Sequence, residues 1–145
     1  MAAWEGAWWL RRRALRKSTY AAALKRAAEL DRILVVVGAP DGGVTAGYGC
    51  GDYVVDINGS RVCRRVMPLD VTRRTTFDDD SVVVFVSCVL EYVSDYDAAL
   101  RELCRISGGE LYAVRVEPWT LTAYLYPGAQ RRIPVLRPGA CRRAQ

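Results

Sequence analysis

Two uninterrupted apolar runs, Ile33 to Val37 and Val82 to Val86, limit what this chain can fold into more than any other feature. A strand with one wet face alternates apolar and polar residues, whereas a continuous β-branched run needs cover on both faces, the signature of a central strand in a parallel sheet. The first run closes in Gly38-Ala39-Pro40-Asp41-Gly42-Gly43, a tight, backbone-exposed loop. Both runs stop far short of the roughly 20 apolar residues a membrane-spanning helix requires, so no transmembrane segment is expected. With 145 residues, 51% of them hydrophobic, the chain can bury one sizeable core.

Other elements follow from periodicity and punctuation. From Trp4 to Arg32 the residues are mostly helix formers, and Tyr20, Leu24, Ala27, Ala28 and Asp31 follow helical spacing, with Leu30 able to join them against a sheet. One or two helices are expected there. A second strand is predicted over Tyr53 to Ile57, reached through the lean crossover Gly38 to Gly51, which leaves room for a very short helix at best. Cys63 to Leu69 predicts a short third strand or turn, and Ser81 to Val86 a fourth strand. Asp78-Asp79-Asp80 before it is expected to be a solvated acidic turn. Ser94 or Asp95 can cap a helix over about Tyr96 to Ile106 that Gly108-Gly109 ends, and Glu110 to Val116 then alternates into a fifth strand. Trp119 to Tyr126 is aromatic and β-branched, and Ile133 to Leu136 reads as a last edge strand. Strands alternating with helices argue for an α/β class, a Rossmann-like, mostly parallel sheet with flanking helices. The division is a basic helical segment over 1–31, an α/β domain over 32–136 and a loose basic tail over 137–145.

Charge is distributed unevenly: residues 1–32 carry +5, residues 33–107 carry −4 and residues 108–145 carry +4. Basic and aromatic residues therefore gather at the ends rather than on the body, which argues against a nucleic-acid-reading core. Trp4, Trp8 and Trp9 followed by Arg11, Arg12, Arg13, Arg16 and Lys17 suit a solvated or partner-facing helix, an anionic membrane or nucleic-acid surface, or an Arg-rich organellar targeting segment. A cytoplasmic location is the default expectation. Five cysteines form no Cys-x-x-Cys pair and there is no histidine, so zinc spacing and any histidine-based triad are missing. With no secretory signal pattern ahead of them, the cysteines are expected to be reduced, mostly buried thiols.

In an open parallel sheet the ligand crevice lies outside the carboxyl ends of the strands. Those ends carry Gly38 to Gly43, Asp56-Ile57-Asn58, Asp70-Val71, and Ser87-Cys88-Val89-Leu90-Glu91-Tyr92. Two carboxylates, a glycine loop and a polar strand end would converge, an arrangement suited to an adenosine-containing ligand. Asp56 could accept both ribose hydroxyl protons and Asp70 the adenine amino group, with Val71 and Leu90 covering the ring faces, while Gly38 and Gly42 let backbone approach. The bland reading makes Asp56 and Asp70 turn caps and the glycines a bend.

The stretch Phe77 to Val93, then Ala98 to Ile106 and Gly108-Gly109, resembles the back half of class I S-adenosylmethionine-dependent methyltransferases: an acidic loop, a strand ending near Ser-x-x-Leu-Glu, a helix ending in Arg, and a Gly-Gly turn. The resemblance covers about residues 32–117. It implies a reduced methyltransferase fold, with Gly38, Ala39 and Asp41 near the methionine part of S-adenosylmethionine, Asp56 near the ribose, Asp70 and Val71 near adenine, and Ser87 and Leu90 along the cofactor floor. Two positions depart from the family: Val36 stands where an acidic residue is usual, and Pro40 where the middle glycine of the loop is usual. Proline removes an N–H there. No Asn-Pro-Pro-Tyr or Pro-Cys motif identifies a methyl acceptor, and Glu91, Glu117 or a tyrosine would have to manage any proton. The functional expectation is a small methyltransferase-like protein that binds S-adenosylmethionine. The alternative is a catalytically silent methyltransferase fold serving as an interaction or scaffold subunit, with the N-terminal segment docking on a protein partner.

Overall fold

Residues 2–41, 46–87, 89–90, 93–114 and 141 are described by the computed structural model, residues 2–9 by their backbone alone. The described elements are α1 (Ala2–Leu30), β1 (Ile33–Val37), β2 (Tyr53–Val55), β3 (Val66–Met67), β4 (Val82–Ser87), α2 (Tyr96–Ser107) and β5 (Leu111–Val114). The strands form one sheet in the order β3-β2-β1-β4-β5 with every neighbouring pair parallel. This is an α/β, Rossmann-like sheet.

The two apolar runs lie side by side at its centre, Ile33 opposite Val82 through to Val37 opposite Val86. Alternation assigns their side chains to opposite faces. Val35, Val37, Val82, Val84 and Val86 pack against Ala99, Leu103 and Ile106 of α2. Leu34, Val36, Val83 and Phe85 pack against Ala23 and Ala27 of α1. One helix per face explains why neither run could tolerate a polar alternate.

A single helix covers the whole N-terminal stretch, continuing through Gly6. Its buried line is Tyr20, Ala23, Ala27 and Leu30 rather than a line through Leu24, which is 45% exposed. Small side chains at 23 and 27 let the helix lie close on the sheet, and Leu24 sits one step of about 100° away from that line. At roughly 1.5 Å per residue α1 is about 43 Å long, against about 17 Å for β1, so its N-terminal part extends past the strands it covers. Arg26 of α1 clamps Glu110 bidentately, Nε to Oε2 at 3.0 Å and Nη2 to Oε1 at 2.9 Å, which ties the helix to the entry of β5. Among the described residues no helix is long and apolar enough to cross a membrane.

Strand and helix ends show local causes. β2 ends two residues before the expected Ile57 because Asp56 turns the chain: its carbonyl accepts from the Gly59 N–H at 3.0 Å and its carboxylate from the Asn58 N–H at 2.9 Å. β3 keeps only Val66–Met67 of the expected Cys63 to Leu69, since Pro68 has no N–H to continue the ladder. α2 starts at the Asp95 cap, whose side chain accepts from the Ala98 N–H at 3.0 Å, and ends at left-handed Gly108. A Cβ on Gly108 would collide with Asp80, so glycine is required there twice over. Asp95→Ala is expected to lower stability by about 1 kcal/mol, read as a lower urea midpoint at unchanged slope.

The expectation of reduced thiols is corrected. Cys50 bonds to Cys63 and Cys104 to Cys141 as disulfides, so these four cysteines are not reduced thiols. The partners are 13 and 37 residues apart in sequence, and the folded chain brings them together. The acidic turn is exposed as expected, Asp78, Asp79 and Asp80 all facing solvent, and it also meets α2: Asp79 accepts from Arg105 Nη1 at 2.7 Å and the Asp80 N–H donates to the Arg105 carbonyl at 2.9 Å. The expected segments Trp119 to Tyr126 and Ile133 to Leu136 lie outside the described residues, as do Cys88, Glu91, Tyr92, Glu117 and, apart from Cys141, the tail.

Candidate functional site

Because all five strands point the same way, their carboxyl ends share one rim. There a cavity of about 490 Å³ opens, within the range that takes a nucleoside-sized ligand. Gly38 enters it from the end of β1, Asp56, Ile57 and Asn58 from the end of β2, Asp70, Val71 and Thr72 from beyond β3, and Val89, Val93 and Ser94 from beyond β4. Val37, Val55 and Leu69 complete an apolar wall.

Of the residues singled out in the sequence, Gly38, Asp56, Ile57, Asp70 and Val71 are brought together on this cavity. Others are not. Asp41 turns away to accept from Ser60 Oγ at 2.7 Å and the Arg61 N–H at 3.2 Å. Ser87 is buried at the end of β4, and Leu90 is buried in the core beneath α2. Ala39 reaches the site only through its N–H, which donates to Asp56 Oδ2 at 2.9 Å. Gly42 lies outside the described residues.

The two carboxylates are differently engaged. Asp56 receives one backbone N–H on each oxygen, Ala39 on Oδ2 and Asn58 on Oδ1. An ionised carboxylate has about four acceptor positions, so each oxygen keeps one for a further donor. Asp70 takes both the Thr72 hydroxyl, at 2.6 Å, and the Thr72 N–H, at 2.9 Å, on Oδ1. Those hydrogen bonds hold its pKa below the usual carboxylate value, with slight burial opposing them and Arg73 adding to them. Among the described residues Oδ2 meets Arg73 Nε, at 3.8 Å. Two carboxylates with acceptor positions to spare thus border an apolar hollow.

The glycine loop is held from behind. The Tyr48 hydroxyl lies 3.1 Å from the Gly38 carbonyl and 3.4 Å from that of Ala39, on the α1 face of the sheet, where the ring packs against Phe85 with centroids 5.0 Å apart. Neither Tyr48 nor the buried Pro40 lines the cavity. Gly38 itself has φ +92°, and a Cβ there would run into Val89 Cγ2. Any other residue would both strain the backbone and displace Val89.

Asn58 and Val89, placed at the crevice by their strand ends but given no ligand role, line it as well, and Thr72, Val93 and Ser94 are lining residues that the sequence did not single out there. Thr72 had a local signal, two residues after Asp70 in Asx-turn spacing. Val89 stood in the strand end already placed at the crevice, while Val93 had no signal, since only the closure of the β4–α2 connection over Gly38 brings it in. Comparison with family models, with curated proteins and with solved structures finds no match.

Proposed function

We propose that the cavity binds S-adenosylmethionine or its demethylated product, the sulfonium methyl being the group passed to an acceptor nucleophile when the protein acts as a methyltransferase. The reading rests on one observation: Gly38, Asp56 and Asp70, expected from sequence to meet an adenosine-containing ligand, line the same hollow at the carboxyl rim. Asp56 has one acceptor position per oxygen for the ribose hydroxyls, Asp70 Oδ2 can take the adenine amino group, and Val71 and Val89 offer apolar cover for the base. The fit is better for the adenosyl half than for the methionine half. Pro40 has no N–H, the Ala39 N–H is spent on Asp56, and Val36 carries no charge.

Calorimetric titration of the full chain with S-adenosylmethionine and with S-adenosylhomocysteine is expected to give heat for both. Asp56→Asn is expected to weaken each by at least about tenfold, as a hydrogen bond to a charged group contributes roughly 1.5–3 kcal/mol. Absence of both heat and thermal shift at millimolar ligand removes this reading. The silent scaffold is the second reading, favoured by the double use of the Asp56 carboxylate as a brace for the loop. A folded chain that binds neither ligand supports it.

A further inference from the structure

At the opposite rim, where the strands begin, a second cavity of about 220 Å³ is lined by Cys50, Gly51, Asp52, Arg64 and Arg65. Cys50 is one half of the bridge to Cys63, so the cavity has a disulfide in its wall and two cations at its edge. Arg64 and Arg65 are exposed and neither belongs to an ion pair among the described residues, Arg65 lying 5.8 Å above the Tyr53 ring. The carboxylate present, Asp52, is bound to the start of β1: Oδ2 accepts from the Leu34 N–H at 2.7 Å and the Asp52 N–H donates to the Leu34 carbonyl at 2.9 Å. The other disulfide differs at one half: Cys104 is fully buried, among Leu100, Tyr96 and Leu111, where Cys50 is half-buried, while Cys63 and Cys141 are buried alike.

We propose that Cys50–Cys63 is a thiol-exchange site selective for small anionic thiols, whose negative charge seats beside Arg64 and Arg65. The incoming thiolate attacks Sγ of Cys50, the half of the bridge whose residue lines the cavity, and a new S–S bond forms between them. The Cys50–Cys63 bond breaks and its electron pair stays on Cys63, which leaves as a thiolate and takes a proton from water. A second thiol attacks the mixed disulfide, releasing Cys50 and the oxidised form of the thiol. Two thiols are oxidised and one protein disulfide is reduced. Cations beside the site favour both the approach of the anion and the departing thiolate. Opening the bridge uncouples the β1–β2 crossover from the segment entering β3, and the proposal stands independently of any ligand in the larger cavity.

The test is to treat the oxidised full chain with reduced glutathione or with neutral β-mercaptoethanol at matched thiolate concentration, quench by alkylation and map each cysteine peptide. Glutathione is expected to open Cys50–Cys63 about tenfold faster than the neutral thiol, as attraction to two nearby charges in water allows. The preference is expected to collapse at ~1 M salt. It is also expected to vanish in the Arg64→Gln, Arg65→Gln double variant, in which the glutathione rate falls further than the β-mercaptoethanol rate and Cys104–Cys141 stays closed throughout. Equal rates for the two thiols on the wild-type chain, equal opening of both disulfides, or a glutathione preference that survives the double variant overturns the proposal.

Discussion

Replacing Phe85 with alanine is expected to destabilise the protein by about 3–5 kcal/mol, the range for removing a large aromatic ring from a close-packed core. Phe85 is 0% exposed and sits on β4 beside β1, with the ring of Tyr20 meeting it edge-on at 5.3 Å and that of Tyr48 tilted against it at 5.0 Å. Truncation removes the ring from its buried position and leaves a cavity between the sheet and α1. It also takes away the support on which Tyr48 leans while bonding the Gly38 carbonyl. Urea unfolding followed by circular dichroism measures the loss. Phe85→Leu is expected to recover much of it, leaving a deficit of order 1 kcal/mol for the missing aromatic contacts. An alanine variant within about 1 kcal/mol of wild type, on the order of a surface substitution, contradicts the assignment of Phe85 to the centre of the α1 face.

Glu102→Ala is expected to cost about 3 kcal/mol. Glu102 is 7% exposed on α2 and is saturated with donors: the Thr75 N–H and hydroxyl on Oε2 at 2.5 and 2.7 Å, and Arg105 Nε on Oε1 and Nη2 on Oε2 at 2.7 and 2.8 Å. Deletion leaves the Thr75 donors without their acceptor and Arg105 with Asp79 and the distant Thr75 carbonyl. Burial by itself would raise the Glu102 pKa, but the hydrogen bonds from Arg105 and Thr75 outweigh it and the net shift is downward. A carboxylate whose pKa is lower folded than unfolded stabilises the fold above its unfolded value of about 4.3 and loses that contribution as pH falls through the lower folded value. The gap in unfolding free energy between wild type and Glu102→Ala is therefore expected to be full at neutral pH and to narrow in acid. A gap that widens in acid has the opposite sign and contradicts a net stabilising role for the ionised carboxylate.

Neither effect could be weighed from the sequence. Phe85 is visible there only as one more apolar residue in a run of valines. Glu102 reads as an exposed charge on an amphipathic helix, because what buries it is the Thr75 loop arriving from 27 residues away. The same holds for Tyr48, which sits in a loop that no periodicity describes. The β1–β2 crossover has no helix among its described residues, and Tyr48 supplies cover on the α1 face with Phe85 and Tyr20 as neighbours. Leu24 departs from expectation for a related reason. Hydrophobicity favours leucine over alanine for the buried line, yet the close approach of helix and sheet selects Ala23 and Ala27.

What the chain's own order of residues determined is what depends on neighbours in sequence. β-branched runs without polar alternates pointed to doubly covered parallel strands, Ser94 or Asp95 and Gly108 to the bounds of α2, and Gly38, Asp56 and Asp70 to positions at or just past strand ends. Since parallel strands all end on one side, placing those three residues at strand ends also placed them on one rim. Tertiary structure alone decided which cysteines meet, which carboxylate is buried among donors, and that Val89 closes on Gly38 while Asp41 turns away to Ser60. Each of these is a contact between segments distant along the chain, selected by loop paths and packing, and no local propensity encodes such a contact.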